Sequence, residues 1–178
     1  PIGDVTFWRD VAPIYNDKGP LTCCYYAYFA DLPALGFESY GRGRRAIGLM
    51  PTNDGLVCIF VSMPREEFQA FRSDIDGNFL ATCDLVPELV ARVRAARRVE
   101  RYYGTADVPN LFRRPYGAGW ALLGDAGYVV DPLTGQGIAD AFRDAEYLAD
   151  AITTGDFPGY EQKRNQAAQP MFELTTDL

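Results

Sequence analysis

The residues with the clearest chemical potential lie between Gly124 and Gly137, where the sequence reads Gly-Asp-Ala-Gly-Tyr-Val-Val-Asp-Pro-Leu-Thr-Gly-Gln-Gly. Asp125 directly follows an apolar segment, and Pro132 and a glycine-rich turn precede a strongly periodic helical pattern. The first turn of a helix carries N–H groups without helical acceptors and a partial positive charge. The stretch therefore predicts a site for an electron-rich or anionic ligand. Taken alone, it also fits a common strand–turn–helix connection in which Asp125 only caps a turn.

The composition disfavours several other kinds of chemistry. The chain contains no histidine, which removes Ser-His-Asp and Cys-His catalysis and the commonest zinc ligand. Its four cysteines show no Cys-x-x-Cys spacing, and most lie in apolar segments, so we interpret them as buried free thiols. They are Cys23, Cys24, Cys58 and Cys83. Cys23 and Cys24 would point to opposite faces of a strand, so a shared metal is not expected.

The net charge and the hydropathy of the chain argue against a nucleic-acid partner and against a membrane span. The chain has 178 residues, enough for a sizeable core, and a formal net charge of −7, which argues against a partner bound through nucleic-acid phosphates. The basic residues Arg42, Arg44 and Arg45 are interpreted as a solvated loop. No signal peptide is evident, and no apolar run is long enough to span a bilayer, so we expect a cytoplasmic protein.

The first part of the chain is dominated by strand patterns. Apolar and aromatic runs bounded by turn residues predict strands over residues 21–30, 37–40, 45–50 and 56–61. Gly41-Arg42-Gly43 is interpreted as a hairpin loop and Asn53-Asp54-Gly55 as a turn. Helical patterns begin at Pro64 and Pro87, followed by an extended run at 97–103 and a short strand at 120–123. These elements favour a largely antiparallel sheet with helices.

The helix after Gly137 has the strongest periodicity in the chain. Its apolar positions predict an inner face made of Ile138, Ala141, Phe142, Ala145, Leu148, Ala149 and Ile152. Gly155 is suited to end this helix. A last helix is predicted from about Tyr160, and Pro170 is expected to kink or end it.

The motif between Gly124 and Ala145 resembles the second flavin-binding motif of FAD-dependent oxidoreductases of the aromatic-hydroxylase type. These are the class A flavoprotein monooxygenases and their reductase and halogenase relatives. The strongest match covers residues 119–153, and a weaker one over 21–118 resembles the substrate domain of that family. The resemblance implies an α+β fold: a mostly antiparallel substrate-domain sheet with helices over 1–108, and the C-terminal part of a Rossmann-like FAD-binding domain over 109–178.

The same resemblance implies a role for each residue of the motif. Asp125 matches the acid that accepts a hydrogen bond from a ribityl hydroxyl of FAD, and Pro132 matches the residue whose backbone lies beside the isoalloxazine ring. The amides that would face the N1 and C2-carbonyl edge of the ring belong to Gly135, Gln136, Gly137 and Ile138. A helix N-terminus there would stabilise negative charge on the reduced ring.

The implied activity is that of an FAD-dependent monooxygenase that uses NAD(P)H and O2 on a small organic substrate, aromatic or polyene-like. No catalytic side chain is assigned, because the flavin carries the chemistry. The alternatives are a partial or inactive α+β domain without cofactor, a small-molecule binding module, and a geranylgeranyl-reductase-like or halogenase-like flavoenzyme. Candidate substrate contacts, for which a core role is the alternative, are Tyr25, Tyr26, Tyr28, Arg45 and Met50.

Two features depart from the family pattern. Tyr128 stands where many relatives carry histidine, so no role of an imidazole transfers. The family also binds the ADP half of FAD with an N-terminal βαβ unit bearing Gly-x-Gly-x-x-Gly, and the similar spacing at 41–46 precedes a strand-like run instead of a helix. We therefore expect a fragment of a larger flavoenzyme whose partner is the ADP-binding segment.

Overall fold

The computed structural model describes residues 11–33 and 35–177, which form two compact units. One unit comprises residues 22–107, and the other combines residues 11–21 with 108–177. The predicted domain boundary after residue 108 lies beside the boundary after residue 107. Residues 11–21 fall in the second unit because their strand pairs with one near residue 112. Residues 1–10, which the prediction placed in the sheet domain, lie outside the described residues.

The first unit is built on an antiparallel sheet. Its strands are β2 (Thr22–Ala30), β3 (Glu38–Arg42), β4 (Arg45–Pro51), β5 (Val57–Pro64), β6 (Arg97–Arg98) and β7 (Tyr103–Thr105). The four long strands lie in the order β3, β4, β5, β2, and the short strands β6 and β7 both pair with β2. The predicted hairpin is confirmed, but Gly41 and Arg42 belong to its first strand and the turn lies at residues 43–44, with Gly43 at a φ of 59°. A hairpin at 41–46 excludes a dinucleotide-binding turn there.

Alternation along β2 explains where the core of this unit lies. Cys23, Tyr25, Ala27 and Phe29 are buried, whereas the residues between them are half-buried. Three helices cover the buried face: α1 (Phe68–Arg72), α2 (Ile75–Cys83) and α3 (Pro87–Ala95). In α3, Pro87 occupies the first turn, where its missing N–H is not needed.

The second unit contains a small antiparallel sheet, a two-stranded hairpin and two long helices. Its sheet orders β1 (Ile14–Tyr15), β8 (Leu111–Arg113) and β11 (Tyr128–Val129), and its hairpin joins β9 (Tyr116–Gly117) to β10 (Trp120–Ala121). The helices are α4 (Gly137–Thr154) and α5 (Phe157–Asp177). Together the two units confirm the predicted α+β class, with a mostly antiparallel sheet.

The last helix rules out one of the two outcomes expected at Pro170. It does not end at Pro170 but continues through it to Asp177. The turns after Pro170 bury Phe172 completely and Thr175 almost so, and such tertiary packing outweighs the one missing helical hydrogen bond. None of the helices in the described residues is long and apolar enough to cross a membrane.

All four cysteines are free thiols, and three are buried as predicted. Burial raises the pKa of Cys23 and of Cys58 to about 11 and that of Cys83 to about 12. Cys24 points to the other face of β2 and is half-buried.

Because thiolates are the reactive form, we expect iodoacetamide at pH 8 to label Cys24 first. Mass spectrometry of the folded protein measures this order, with urea-unfolded protein as the control. Equal labelling of Cys23 would contradict it.

Candidate functional site

The candidate site begins at a tight turn after β10. Residues Gly124–Ala126 form one turn of 3-10 helix, and Gly124 has a φ of 56°, a conformation that favours glycine. A Cβ placed on Gly124 would lie 3.4 Å from Cβ of Ala141 on α4. The turn therefore lies against the first turns of α4, and it leaves Asp125 exposed to solvent.

The loop after β11 is fixed by two buried polar side chains. Oδ1 of Asn110, which has no exposed surface, accepts a hydrogen bond of 2.7 Å from the amide of Asp131. Oδ1 of Asp131 in turn accepts one of 3.0 Å from the amide of Leu133. These bonds orient the short 3-10 turn Pro132–Thr134, in which Pro132 is exposed.

The turn into α4 leaves the helix N-terminus without a side-chain cap. Gly135 is left-handed, at a φ of 68°, and its amide donates to the carbonyl of Pro132. The side chain of Gln136 donates to the carbonyl of Thr134 and makes no capping bond. The helical ladder begins only at Asp140, whose amide bonds to the carbonyl of Gln136 at 2.9 Å. The amides of Gly137, Ile138 and Ala139 therefore have no acceptor within the helix. The amide of Gly135, also predicted to face the flavin, is instead bonded to the carbonyl of Pro132.

The space around these amides is open. Gly135 and Gly137 are exposed, and a Cβ on either would meet no protein atom within 4 Å. The backbone of Gly137 has a conformation that other residues also adopt, and no protein atom packs against it. Neither backbone strain nor packing therefore requires glycine at this position, whereas close approach of a ligand would. The structure brings Pro132, Gly135, Gln136 and Gly137 into one continuous turn.

The orientation of α4 is the main correction to the sequence prediction. Four of the seven residues of its predicted inner face are exposed, with Ile138 78%, Phe142 73% and Ile152 66% accessible, and the other three are half-buried. The buried positions are Asp140, Asp144 and Ala151. The opposite face turns inward because its carboxylates find charged partners in the unit.

A buried group of charges lies under the first two turns of α4. The guanidinium of Arg143 donates to Asp140 at 2.5 Å and to Asp144 at 2.7 Å. Burial raises the pKa of Asp144 above its usual value, an effect that Arg143 opposes. Burial also raises the pKa of the Tyr128 phenol, and Asp140 adds to this. Within the described residues, the Tyr128 hydroxyl and Oδ2 of Asp140 have no hydrogen-bond partner.

A second buried cation, Arg164 of α5, fastens the strands that carry the site. It is 1% exposed and donates to the carbonyls of Gly127 at 3.3 Å and Arg113 at 3.1 Å. Its Nη2 also bonds to the Tyr15 hydroxyl at 2.7 Å, and its guanidinium lies over the ring of Phe112. Arg164 therefore ties α5 to β8 and to the turn before β11.

Three residues that support the loop or the helix after it were missed by the sequence analysis: Asn110, Arg143 and Arg164. None of them was singled out from the sequence. The signal that the sequence offered for Asn110 is its position directly before the apolar residues Leu111 and Phe112. The partners of Arg164 are remote in sequence, so no local pattern identifies it.

The candidate substrate contacts divide between the two faces of the large sheet. Tyr25 is 4% exposed and stacks on Phe68 and Phe71, so it belongs to the core of the unit and not to a substrate surface. Tyr26 and Tyr28 lie on the opposite face, where the ring of Tyr26 stacks on that of Tyr103 at 5.2 Å.

The other two candidates, Arg45 and Met50, have different surroundings. Arg45 forms an ion pair with Glu67, whereas Met50 is 38% exposed. The outer face near Met50 also carries the ring of Phe60, which covers Gly48 so closely that a Cβ there would clash with it. Tyr26, Tyr28, Phe60 and Met50 thus form an apolar outer surface.

Comparison with known proteins finds similarity to FAD-dependent enzymes. No protein-family model matches the sequence. The FAD-dependent urate hydroxylase of Klebsiella oxytoca is 32% identical over 117 residues, which cover 62% of this chain and 29% of that enzyme. The chain resembles part of an FAD-dependent monooxygenase. It spans less than a third of the length of that hydroxylase.

Solved structures show the same fold. The myxobacterial chondrochloren halogenase CndH, an FAD-dependent halogenase, matches with a TM-score of 0.78 over 92% of this chain and 42% of its own, at 18% identity. PqsL from Pseudomonas aeruginosa, a probable FAD-dependent monooxygenase, matches with a TM-score of 0.64 over 99% of this chain and 51% of its own, at 22% identity. The fold is therefore that of flavin-dependent monooxygenases and halogenases.

Proposed function

We propose that this chain forms the flavin-ring side of an FAD-dependent monooxygenase that acts on a small organic substrate. The observation that carries the proposal is the uncapped N-terminus of α4 behind the left-handed Gly135, with open space where side chains would project from Gly135 and Gly137. The sequence similarity to an FAD-dependent hydroxylase supports the choice of ligand.

The donor set suits a flavin ring edge better than a phosphate group. Amides of Gly137 and Ile138 would donate to the electron-rich N1 and C2-carbonyl edge, and the backbone of Pro132 would lie beside the ring. Asp125, exposed on the adjoining turn, would accept a hydrogen bond from a ribityl hydroxyl. A carboxylate at that place would repel a phosphate, so the proposed contact is with the sugar chain.

The residues of the chain would bind and orient, because bound FAD supplies the redox chemistry with NAD(P)H and O2. The helix N-terminus would stabilise negative charge at the ring edge. Asn110 and Asp131 hold the turn at Pro132 in place. Arg164 holds the backbone before β11. Rigid support of this kind keeps donors within hydrogen-bond distance of their acceptor.

The outer sheet surface of Tyr26, Tyr28, Phe60 and Met50 is the proposed substrate wall. Its stacked and edge-on rings offer flat apolar area together with phenol hydroxyls. This chemistry fits an aromatic or polyene-like molecule. A flavin-dependent halogenase is the second candidate, which the fold similarity to CndH favours.

Gly137→Val tests the proposed cofactor site. In the complete gene product we expect this change to lower FAD affinity at least about tenfold, since a branched side chain would hold the ring away from the amides. Stability should hold, because valine suits a helix better than glycine and the site is open. Fluorescence titration with FAD and thermal unfolding give the two readouts.

Gly41→Val is the matched control, since a Cβ on Gly41 also meets nothing within 4 Å. It should leave FAD binding unchanged. A wild-type gene product that retains no flavin and binds none would overturn the proposed function and favour an α+β domain without cofactor. Turnover with NAD(P)H, with and without halide, separates the two candidate activities.

A further inference from the structure

A row of uncharged residues crosses the outer face of the large sheet. Tyr103, Tyr26, Phe60 and Gly48 lie directly opposite one another on β7, β2, β5 and β4. The neighbouring strand residues on this face are uncharged as well. This row crosses the proposed substrate wall, and by itself it offers apolar area that does not select for charge.

A cation borders this row at its β7 end. Arg101 directly precedes β7 by one residue and is exposed, and its guanidinium carbon lies 5.0 Å from the centroid of the Tyr103 ring. The Tyr103 ring in turn stacks on that of Tyr26, with 5.2 Å between the centroids. These two distances place the guanidinium within about 10 Å of the Tyr26 ring, at the border of the wall.

The guanidinium of Arg101 is available to a ligand. Within residues 11–33 and 35–177 it forms no ion pair and donates no hydrogen bond, and its contact is with the ring of Tyr103. Arg98 differs, because it lies over the ring of Tyr102 but also bonds to Asp76. A cation–π contact holds the Arg101 guanidinium against the wall and leaves its N–H donors unused.

The nearest carboxylate on this border has another partner. Glu100 accepts a hydrogen bond of 2.8 Å from the hydroxyl of Tyr103, at the edge of the ring, whereas Arg101 lies over the face of the ring. An anion that approaches Tyr103 is therefore repelled at the hydroxyl edge and attracted at the ring face.

We propose that Arg101 binds a carboxylate of the substrate, so that the wall accepts a flat apolar molecule with an anionic end. The inference rests on the proposed function, because it concerns the substrate of the same site. A guanidinium presents paired N–H donors that match the two oxygens of a carboxylate. The chain has a net charge of −7, which repels anions, so an anionic substrate needs a local cation at the wall.

Two probes of similar shape test the site in the complete gene product: naphthoate, which carries a carboxylate, and the neutral naphthamide. We expect the wild type to bind naphthoate at least about fivefold more tightly and Arg101→Gln to lose this preference. Equilibrium dialysis at low salt measures both affinities. Because Arg101 is exposed, the preference should weaken as salt is added. Equal affinities in the wild type, binding of neither probe, or an unchanged preference in Arg101→Gln would overturn the proposal.

Two further variants assign the effect to this place. Arg72→Gln removes the same charge from an exposed residue of α1, a helix on the other side of the sheet, and should keep the preference. Tyr26→Leu removes a ring of the wall and should weaken both probes alike. Loss of the preference in Arg72→Gln would indicate an effect of net charge, and unchanged affinities in Tyr26→Leu would separate the carboxylate site from the wall. Either result would overturn the proposal.

Titration of the same proteins with FAD separates this proposal from the proposed function. A carboxylate preference in a protein that binds no FAD would support the role of Arg101 and reject the proposed function. FAD binding without a carboxylate preference would do the reverse.

Discussion

Replacing Arg143 by methionine is expected to lower the free energy of unfolding by about 3–5 kcal/mol. The change removes the cation that pairs with both Asp140 and Asp144, and it retains an unbranched apolar side chain about as long as the aliphatic part of arginine. Asp144 is 1% and Asp140 6% exposed, so water cannot replace the lost partner. Urea unfolding followed by circular dichroism measures the loss.

Arg94→Met is the matched control for this prediction. Arg94 also pairs with an aspartate, Asp84, but both side chains are more than a third exposed. An exposed ion pair contributes about 1 kcal/mol or less, so the control should lose far less stability than Arg143→Met. Similar losses in the two variants would contradict the buried charge group.

The pH dependence of Arg143→Met gives a further check. Burial raises the folded-state pKa of Asp144 above its unfolded value, and removal of Arg143 strengthens that shift. Below the raised pKa the folded carboxyl is neutral and needs no cation. The deficit of Arg143→Met should therefore shrink as the pH is lowered through this range and be fully present at neutral pH. A deficit that grows towards acid would contradict the assignment.

The strands of the large sheet were predictable because their signals are local. Turn residues such as Asn53-Asp54-Gly55 bound an apolar run of strand length, and that run became β5. Which face of β2 lies in the core was not predictable. Tyr25 and Tyr26 are the same residue type, so the sequence does not show which of the two faces the core. The covering helices decide it, through the stacking of Phe68 and Phe71 on Tyr25.

The motif of the candidate flavin loop was predictable from the sequence, but the side chains that hold the loop in place were not. The glycine-rich turn and the helix start follow from residue types alone, and the structure places them as expected. Asn110 reaches Asp131 from 21 positions earlier, and Arg164 reaches Gly127 from 37 positions later. Local periodicity contains no information about such contacts.

The inversion of α4 has a physical explanation of the same kind. An apolar arc is expected to face the nearest core, yet Asp140 and Asp144 are buried because Arg143 and Arg164 supply compensating charge. In this chain both faces of α4 are built for burial, one by charge pairing and one by apolar composition.

Asp125→Ala is expected to lower the affinity of the complete gene product for FAD about 10- to 100-fold. The proposed bond from a ribityl hydroxyl to the Asp125 carboxylate is charge-assisted, and such bonds contribute about 1.5–3 kcal/mol. Asp125 is exposed on its turn, so its removal should change the free energy of unfolding by no more than about 0.5 kcal/mol. Equilibrium titration with FAD, followed by flavin fluorescence, measures the affinity.

Two control variants assign the effect to this carboxylate. Asp125→Asn keeps an acceptor oxygen without the charge and should retain part of the affinity. Asp150→Ala removes another exposed carboxylate, one on the far turns of α4, and should leave FAD binding unchanged. Undiminished binding by Asp125→Ala would remove this residue from the site and leave the amides of α4 as the supported contact. Equal losses in Asp125→Ala and Asp150→Ala would instead point to a general effect of net charge, because both variants remove one negative charge.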